Sequence, residues 1–237
     1  MDKTSLGNRM KSYESVSNIY LTPRMPLIIR IDGKAFHTYT RNFDKPYDND
    51  FYTTMKLVCD DLITNISGAK LCYMQSDEIS ILITDYDKLE TQAWFDKKLQ
   101  KIVSVSASLA TGYFNEYIRD IHKSKLSKNK IAFFDSRAFV LPKEEVCNYF
   151  IWRQQDAVRN SIQGLGQAYF SHKSLHKLNC NQIQDKLMLE KNINWNDIDT
   201  VFKRGYCVYK NTIDNGYVID YEIPIFTQNR NYIEKHL

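Results

Sequence analysis

An α+β fold is predicted, with a βαββαβ antiparallel sheet carrying helices on one face and a helical and β-hairpin elaboration after it. Three observations predict it. Short apolar runs alternate with helical periodicity in the order strand, helix, strand, strand, helix, strand, which is the ferredoxin-like order. The second and third strands are separated only by Ser76-Asp77-Glu78, room for a tight hairpin and little else. The chain has 237 residues, 43% hydrophobic and 25% charged, which is the composition of a soluble globular protein with one large core.

The elements follow in order. Residues 1–24 are polar and predict a short helix. Pro26-Leu27-Ile28-Ile29-Arg30-Ile31 is a continuous β-branched run, a buried strand that stops at Asp32-Gly33. Asp48 has the chemistry of an N-cap, and Phe51, Met55, Val58, Leu62 and Ile66 then recur at helical spacing until Gly68 ends the run. Residues 70–75 and 79–84 are the hairpin strands. A helix is predicted from about Glu90 to Ile118. Its middle, residues 103–110, is rich in small side chains, which let a helix lie close to a sheet. Residues 131–141 form the next strand, closed by Pro142. Helices are predicted over 143–170 and about 181–191. A second hairpin, YCVYK and YVIDYEI, turns at Asp214-Asn215-Gly216. Residues 1–142 are thus the core and 143–237 its elaboration. No Gly- or Pro-rich linker divides them, so one continuous domain is expected.

Composition narrows the function classes. No apolar run approaches the ~18 residues of a membrane span, and the N-terminal residues contain no apolar secretion segment; a cytoplasmic protein without membrane partners is expected. The five cysteines are dispersed without a CxxC pair, which argues for reduced thiols rather than disulfides or a zinc site. The net charge of +4 permits an anionic partner without demanding one.

The chemistry rests on carboxylates. Asp32 ends the first strand, and Asp77 and Glu78 lie between the second and third. In this topology the first and third strands are neighbours, so these acids converge at one sheet edge. Bare acids so placed repel, and a pair of divalent cations removes that cost. Two such ions stabilise the attacking and leaving oxygens of a phosphoryl transfer. Gly33, lacking a side chain, lets its backbone approach a metal or phosphate. Lys34, Lys45 and Arg137 can place positive charge on a triphosphate, and His37 can face a nucleobase. From the residues alone, a turn at Asp32-Gly33 and a solvated hairpin tip at 76–78 remain an equally good account.

Four motifs decide between them. Arg30-Ile31-Asp32-Gly33-Lys34-Ala35-Phe36-His37, Phe43-Asp44-Lys45-Pro46-Tyr47-Asp48, Gln75-Ser76-Asp77-Glu78-Ile79-Ser80, and Trp152-Arg153-Gln154-Gln155-Asp156 followed by Asn160 occur in that order. Together they closely resemble the tRNA(His) guanylyltransferase family over about residues 26–165. The resemblance implies a polymerase-like palm that adds nucleotides to tRNA 5′ ends in the 3′-to-5′ direction. It implies two Mg²⁺ ions, with ATP and GTP as substrates. By motif it makes Asp32, Asp77 and Glu78 catalytic, and it assigns the metals to Asp32, Asp77 and the Gly33 carbonyl. It places the nucleotide against Asp32, Gly33, Lys34, Ala35, Phe36, His37, Lys45, Asp48, Ser76, Asp77, Arg137 and Asn160. A homo-tetramer is expected from the same resemblance.

One departure bears on the substrate. In the eukaryotic branch the last motif continues C-H-I-N-N; here it reads Ala157-Val158-Arg159-Asn160-Ser161, with Val158 at the His position. That resembles the guanylyltransferase-like branch and favours template-dependent 5′-end repair over dedicated addition of one G to tRNA(His). For RNA contact the candidates are Lys123, Lys125, Lys128 and Lys130 in a basic stretch, which also reads as a solvated loop, together with Arg153 and Arg159. His172 and His176, at i and i+4, lack a third metal ligand nearby. Two rival readings remain: another palm enzyme such as a nucleotidyl cyclase, and a non-catalytic RNA-binding sheet. The latter would present stacking aromatics where this sequence delivers acids.

Overall fold

The computed structural model describes residues 4–122, 130–211 and 216–237. The elements run α1 (Ser5–Ser15), β1 (Leu27–Gly33), α2 (Phe36–Tyr39), α3 (Asn49–Asn65), β2 (Ala69–Gln75), β3 (Glu78–Ile83), α4 (Leu99–Ile121) and β4 (Phe134–Val140). They continue as α5 (Lys143–Tyr169), α6 (His172–Leu175), α7 (Cys180–Lys191), α8 (Thr200–Arg204), β5 (Tyr206–Lys210), β6 (Tyr217–Asp220) and α9 (Asn231–Glu234). Among the described residues the strands form one antiparallel sheet in the order β4-β1-β3-β2-β5-β6. The predicted βαββαβ unit supplies its first four positions.

Strand alternation divides the core into two layers. Ile29, Ile31, Cys72, Met74, Ile79 and Ile81 pack under α3 and α4, against Met55, Val58, Leu62 and Phe114. The opposite side chains, Ile28, Leu71, Tyr73 and Leu82, meet Val146 and Phe150 of α5 together with Phe226 and Ile233. The palm helices therefore lie on one face, as expected, and the elaboration covers the other. Burial on both faces explains why β1 and β3 read as continuous apolar runs. Each such isoleucine contributes about 1.5–3 kcal/mol of burial free energy. β5 pairs with β2, Cys207 opposite Tyr73, so the sheet continues across the 142/143 boundary.

Some boundaries differ from the expectation. α4 begins at Leu99, not near Glu90. The residues before it hold Phe95, Asp96 and Lys97 in succession at positive φ. That backbone turns the buried Lys97 ammonium inward, where it lies 3.1 Å from Asp85 and donates to the carbonyls of Thr22 and Met25. A tertiary clamp overrides the local helical pattern there. Of the small residues in α4, Ser106 and Ala110 are buried, whereas Ser104 and Ser108 are exposed. The second hairpin forms as predicted, with Asp214 and Asn215 of its turn outside the described residues. No helix among the described residues is long and apolar enough to cross a membrane.

Candidate active site

The site is built where three strands end. β1 pairs with β3 so that Asp32 stands opposite Glu78, and with β4 so that Asp32 stands opposite Asp135. β2 and β3 are joined by a two-residue turn, with Gln75 paired to Glu78. Ser76 adopts φ 53°, and its hydroxyl donates to the Asp77 carboxylate at 3.1 Å. The turn thus directs Asp77 to the same sheet end as Asp32. The left-handed backbone costs free energy for a serine and is retained where the turn aims a functional group. A Cβ on Gly33 would lie 2.3 Å from the Phe36 ring, so glycine is what lets that ring pack beneath the strand end.

The charges at this corner are unequally compensated. Arg153 donates to both oxygens of Glu78, at 2.7 and 2.8 Å, and to Asp156 at 2.8 Å. Asp32 and Asp77 form no ion pair among the described residues. Burial pushes the Asp77 carboxyl up to about 6, and the Asp32 charge adds to the shift. Burial also raises Asp32, as does Asp135, while Arg30, Arg137 and Arg153 pull it back. Glu78 is raised by burial and partly restored by Arg153. Two hard-oxygen carboxylates that repel each other, with no side-chain cation on either, are a donor set that fits Mg²⁺. Asp48, Asp50 and His122 also bring ligand-type atoms within 4.8 Å. There, however, Asp48 caps α3 and accepts from the His122 ring.

A cleft of about 460 Å³ opens beside the acids, lined by His37, Lys45, Tyr47, Ser76, Asp77 and Asn160 among others. An adjoining hollow holds Arg30, Asp32, Asp77, Glu78, Arg153 and Asn160. Most of the sequence-predicted residues therefore meet at one place. Lys34 and Ala35 are exposed on the loop leading from Gly33, and the Lys34 amide donates to Phe133. Arg137 is exposed on β4, directly opposite Arg30. Asn160 donates to Asp156 at 3.4 Å.

Several assigned roles are corrected by burial. Phe36 is 4% exposed and packs edge-on or tilted against Tyr39, Phe51, Phe114 and Phe134. Its ring belongs to the core, although the residue still borders the cleft. Asp48 is buried, with Oδ1 accepting from the Phe51 amide and Oδ2 from the Asp44 amide and the His122 ring. Burial alone would raise it; those donors outweigh burial and hold it below the usual carboxylate range. It braces the Lys45 loop from below. Arg153 is 5% exposed and engaged by Glu78 and Asp156, so it is no RNA contact. Glu78, locked to that guanidinium, is a support for the site. The Lys130 ammonium donates to the carbonyls of Thr38 and Tyr39 and pins the end of α2. Arg159 remains exposed, paired with Asp156. Lys123, Lys125 and Lys128 lie outside the described residues. The His172 and His176 rings are 6.4 Å apart, and both residues are exposed.

Sequence reading missed Asp135, Arg30 and His122 as members of the site and its support. Arg30 and Asp135 sit at strand positions of the same parity as Asp32 in the ladder, a signal that needs the β1–β4 register. His122 ends α4 and stacks on Phe43, with ring centroids 4.3 Å apart, and nothing local marks it.

A family model, Thg1, tRNAHis guanylyltransferase, matches residues 7–142. The chain is similar to a bacterial tRNA(His) guanylyltransferase (Thg1)-like protein solved in complex with ATP, at 54% identity and a TM-score of 0.93 over 98% of both chains. A bacterial Thg1-like protein solved with GTP aligns at 48% identity and a TM-score of 0.86, over 98% of this chain and 99% of that one. The uncharacterized protein R259 of Acanthamoeba polyphaga mimivirus is 29% identical over 96% of this chain and 86% of its own length. The matched span contains the whole palm, with Asp32, Asp77 and Glu78 at its strand ends, and the chain belongs to the tRNAHis guanylyltransferase family of nucleotidyltransferases.

Proposed function

We propose that this protein extends tRNA 5′ ends in the 3′-to-5′ direction, using ATP for activation, GTP and other nucleoside triphosphates for addition, and Mg²⁺ at Asp32, Asp77 and the Gly33 carbonyl. The observation that carries the reading is the convergence of Asp32 and Asp77, with no ion pair among the described residues, in a hollow adjoining the cleft lined by Lys45, His37 and Asn160. The bacterial Thg1-like proteins solved in complex with ATP and with GTP support both nucleotides.

In the activation step a 5′-monophosphate oxygen of the RNA attacks the α-phosphorus of ATP, and pyrophosphate leaves. In the addition step the 3′-hydroxyl of the incoming triphosphate attacks the activated 5′ phosphorus, and AMP leaves. Bound Mg²⁺ supplies charge neutralisation at the phosphoryl oxygens in both steps. Lys45, held over the cleft by the Asp48 brace, sets positive charge toward a triphosphate. Ser76 orients the Asp77 carboxylate, and the Arg153–Glu78 pair keeps the strand ends in register. His37 and Asn160 border the cleft where a nucleobase or ribose would lie.

Template-dependent repair is favoured over a dedicated tRNA(His) role by Val158. Its half-buried side chain packs on the apolar cluster of Ile162 and Leu187, so that position offers no polar group to a particular base. The test is extension of a tRNA lacking its first 5′ nucleotide, with each of the four triphosphates, with and without ATP and Mg²⁺. Incorporation of the base complementary to the opposite strand is expected. G added regardless of the template contradicts repair, and a cyclic product from GTP alone contradicts the whole reading. The tetramer expected from the resemblance is tested by light scattering of the purified protein.

A further inference from the structure

Trp152 is the part of the motif set that the proposed chemistry leaves unused. It lies on α5 with 52% of its surface exposed, whereas the other two tryptophans, Trp94 and Trp195, are half-buried. The ring is held firmly. The Arg153 guanidinium lies 4.3 Å from its centroid, the Arg30 guanidinium 5.8 Å, and Tyr149 packs on it edge-on at 6.0 Å. Tyr149 is itself hydrogen-bonded to Ser80 on β3, and Arg153 to Glu78. The indole is therefore pre-organised by the same strands that carry the acids.

Its surroundings are those of a nucleotide. Arg30 is on β1, two residues before Asp32 and on the same face. Its Nε is buried without a hydrogen-bond partner. Arg137 stands directly opposite on β4, exposed, with only a loose contact to Asp135 at 3.7 Å. A guanidinium over an exposed indole, with a second opposite it on the neighbouring strand, matches a base and its phosphate: a π-face for the stack, cations for the backbone. This platform lies toward β4, away from the cleft of Lys45 and His37. A free triphosphate in that cleft leaves it open for the other reactant.

We propose that Trp152 is the stacking platform for the 5′-terminal base of the RNA acceptor, with Arg30 and Arg137 receiving its phosphate. The proposal rests on the reading that an RNA 5′ end is the acceptor. Base-on-aromatic stacks of this kind change affinity by roughly 5- to 150-fold on truncation.

The test uses the full chain with Mg²⁺ and a 5′-monophosphorylated tRNA lacking its first nucleotide, with 2-aminopurine at its 5′ terminus. Quenching of the 2-aminopurine by the wild-type protein is expected. Trp152→Phe should keep it, and Trp152→Ala should lose it with about 5- to 150-fold weaker RNA binding. Trp152→Leu, which keeps the bulk and lacks the π-face, replaces the alanine variant if that one does not fold. Arg137→Ala should lower the salt dependence of binding by about one contact. An unquenched wild-type complex, or an alanine or leucine variant that binds as wild type does, overturns the proposal. Trp152-dependent quenching of free 2-aminopurine riboside triphosphate, but not of the RNA, assigns the platform to a triphosphate and overturns it too. So does a changed oligomeric mass with unchanged RNA binding, which makes the indole a subunit contact. Nucleotide addition is scored separately: its absence in the wild type defeats the proposed function, whereas addition without quenching defeats only the stack.

Discussion

Asp48, the N-cap of α3, and Asp77, in the turn between β2 and β3, border the same cleft, yet their surroundings are opposite. Asp48 accepts from two backbone amides and the His122 ring, and is held below the usual carboxylate range. Asp77 has the Ser76 hydroxyl and the repulsion of Asp32, and is pushed up to about 6. Glu78, adjacent in sequence, is locked to Arg153. A buried carboxylate with its donors in place holds a loop; one left without a cation is costly to the fold and available to a ligand. The difference between the two regions separates scaffold acids from working acids.

The largest expected effect tests that division directly. Asp77→Ala or Asp32→Ala should lower nucleotide addition on the order of 10³-fold, while the thermal midpoint without metal stays level or rises, because a repulsion is removed. A destabilised Asp77→Ala protein would break the comparison. Next in size is Arg153→Met, which strands Glu78 as a buried unpaired charge. A loss of about 3–5 kcal/mol in denaturant unfolding is expected, and recovery in the double variant with Glu78→Gln would sharpen the assignment. Asp48→Ala removes a helix cap and the His122 partner together, so a loss of about 1–3 kcal/mol is expected. Asp48→Asn should lose less, since it keeps an acceptor for the cap.

The smallest effect is in pH, and its sign differs between the two aspartates. Asp77 in the fold titrates above its unfolded value of 3.8, near 6. Its contribution is fully present below 3.8 and is lost as pH rises through about 6. Asp48 titrates below 3.8, so its contribution is present above that value and is lost as pH falls through the folded one. In chelator-treated protein, Asp77→Asn should gain on wild type in melting temperature between pH 4 and pH 7, and Asp48→Asn should lose ground. Mg²⁺ at pH 7.5 should stabilise the wild type by about 2.7 kcal/mol at a hundred times its dissociation constant, raising its midpoint, and leave Asp77→Asn unmoved.

Much of this was legible along the chain because the signals were local. Asp48 as an N-cap, the tight connection between β2 and β3, and the apolar period of α3 each depend on a few neighbouring residues. The strand–helix order then sufficed for β1 and β3 to be neighbours, which places Asp32 and Asp77 together. Arg153 was read as an RNA contact because basic residues were expected to lie away from the metal-binding acids. Its partner Glu78 is 75 residues away in sequence, and only packing of α5 on the sheet joins them. Phe36 lies in a motif expected to contact the nucleotide, and only the fold shows that Gly33 leaves room for its ring to enter the aromatic core. The start of α4 was misplaced for a similar reason: the Lys97–Asp85 clamp is a tertiary contact.

The sequence by itself determined the palm order, the family and the identity of the acids at the strand ends, since those follow from periodicity, turn chemistry and motifs within short windows. Tertiary structure decided which acids are free. Whether a carboxylate is braced by amides, paired with a guanidinium or left facing another carboxylate depends on side chains brought in from distant strands and from α5. The electrostatic consequences of those neighbours fall off within a few ångströms, so only the folded chain assigns them.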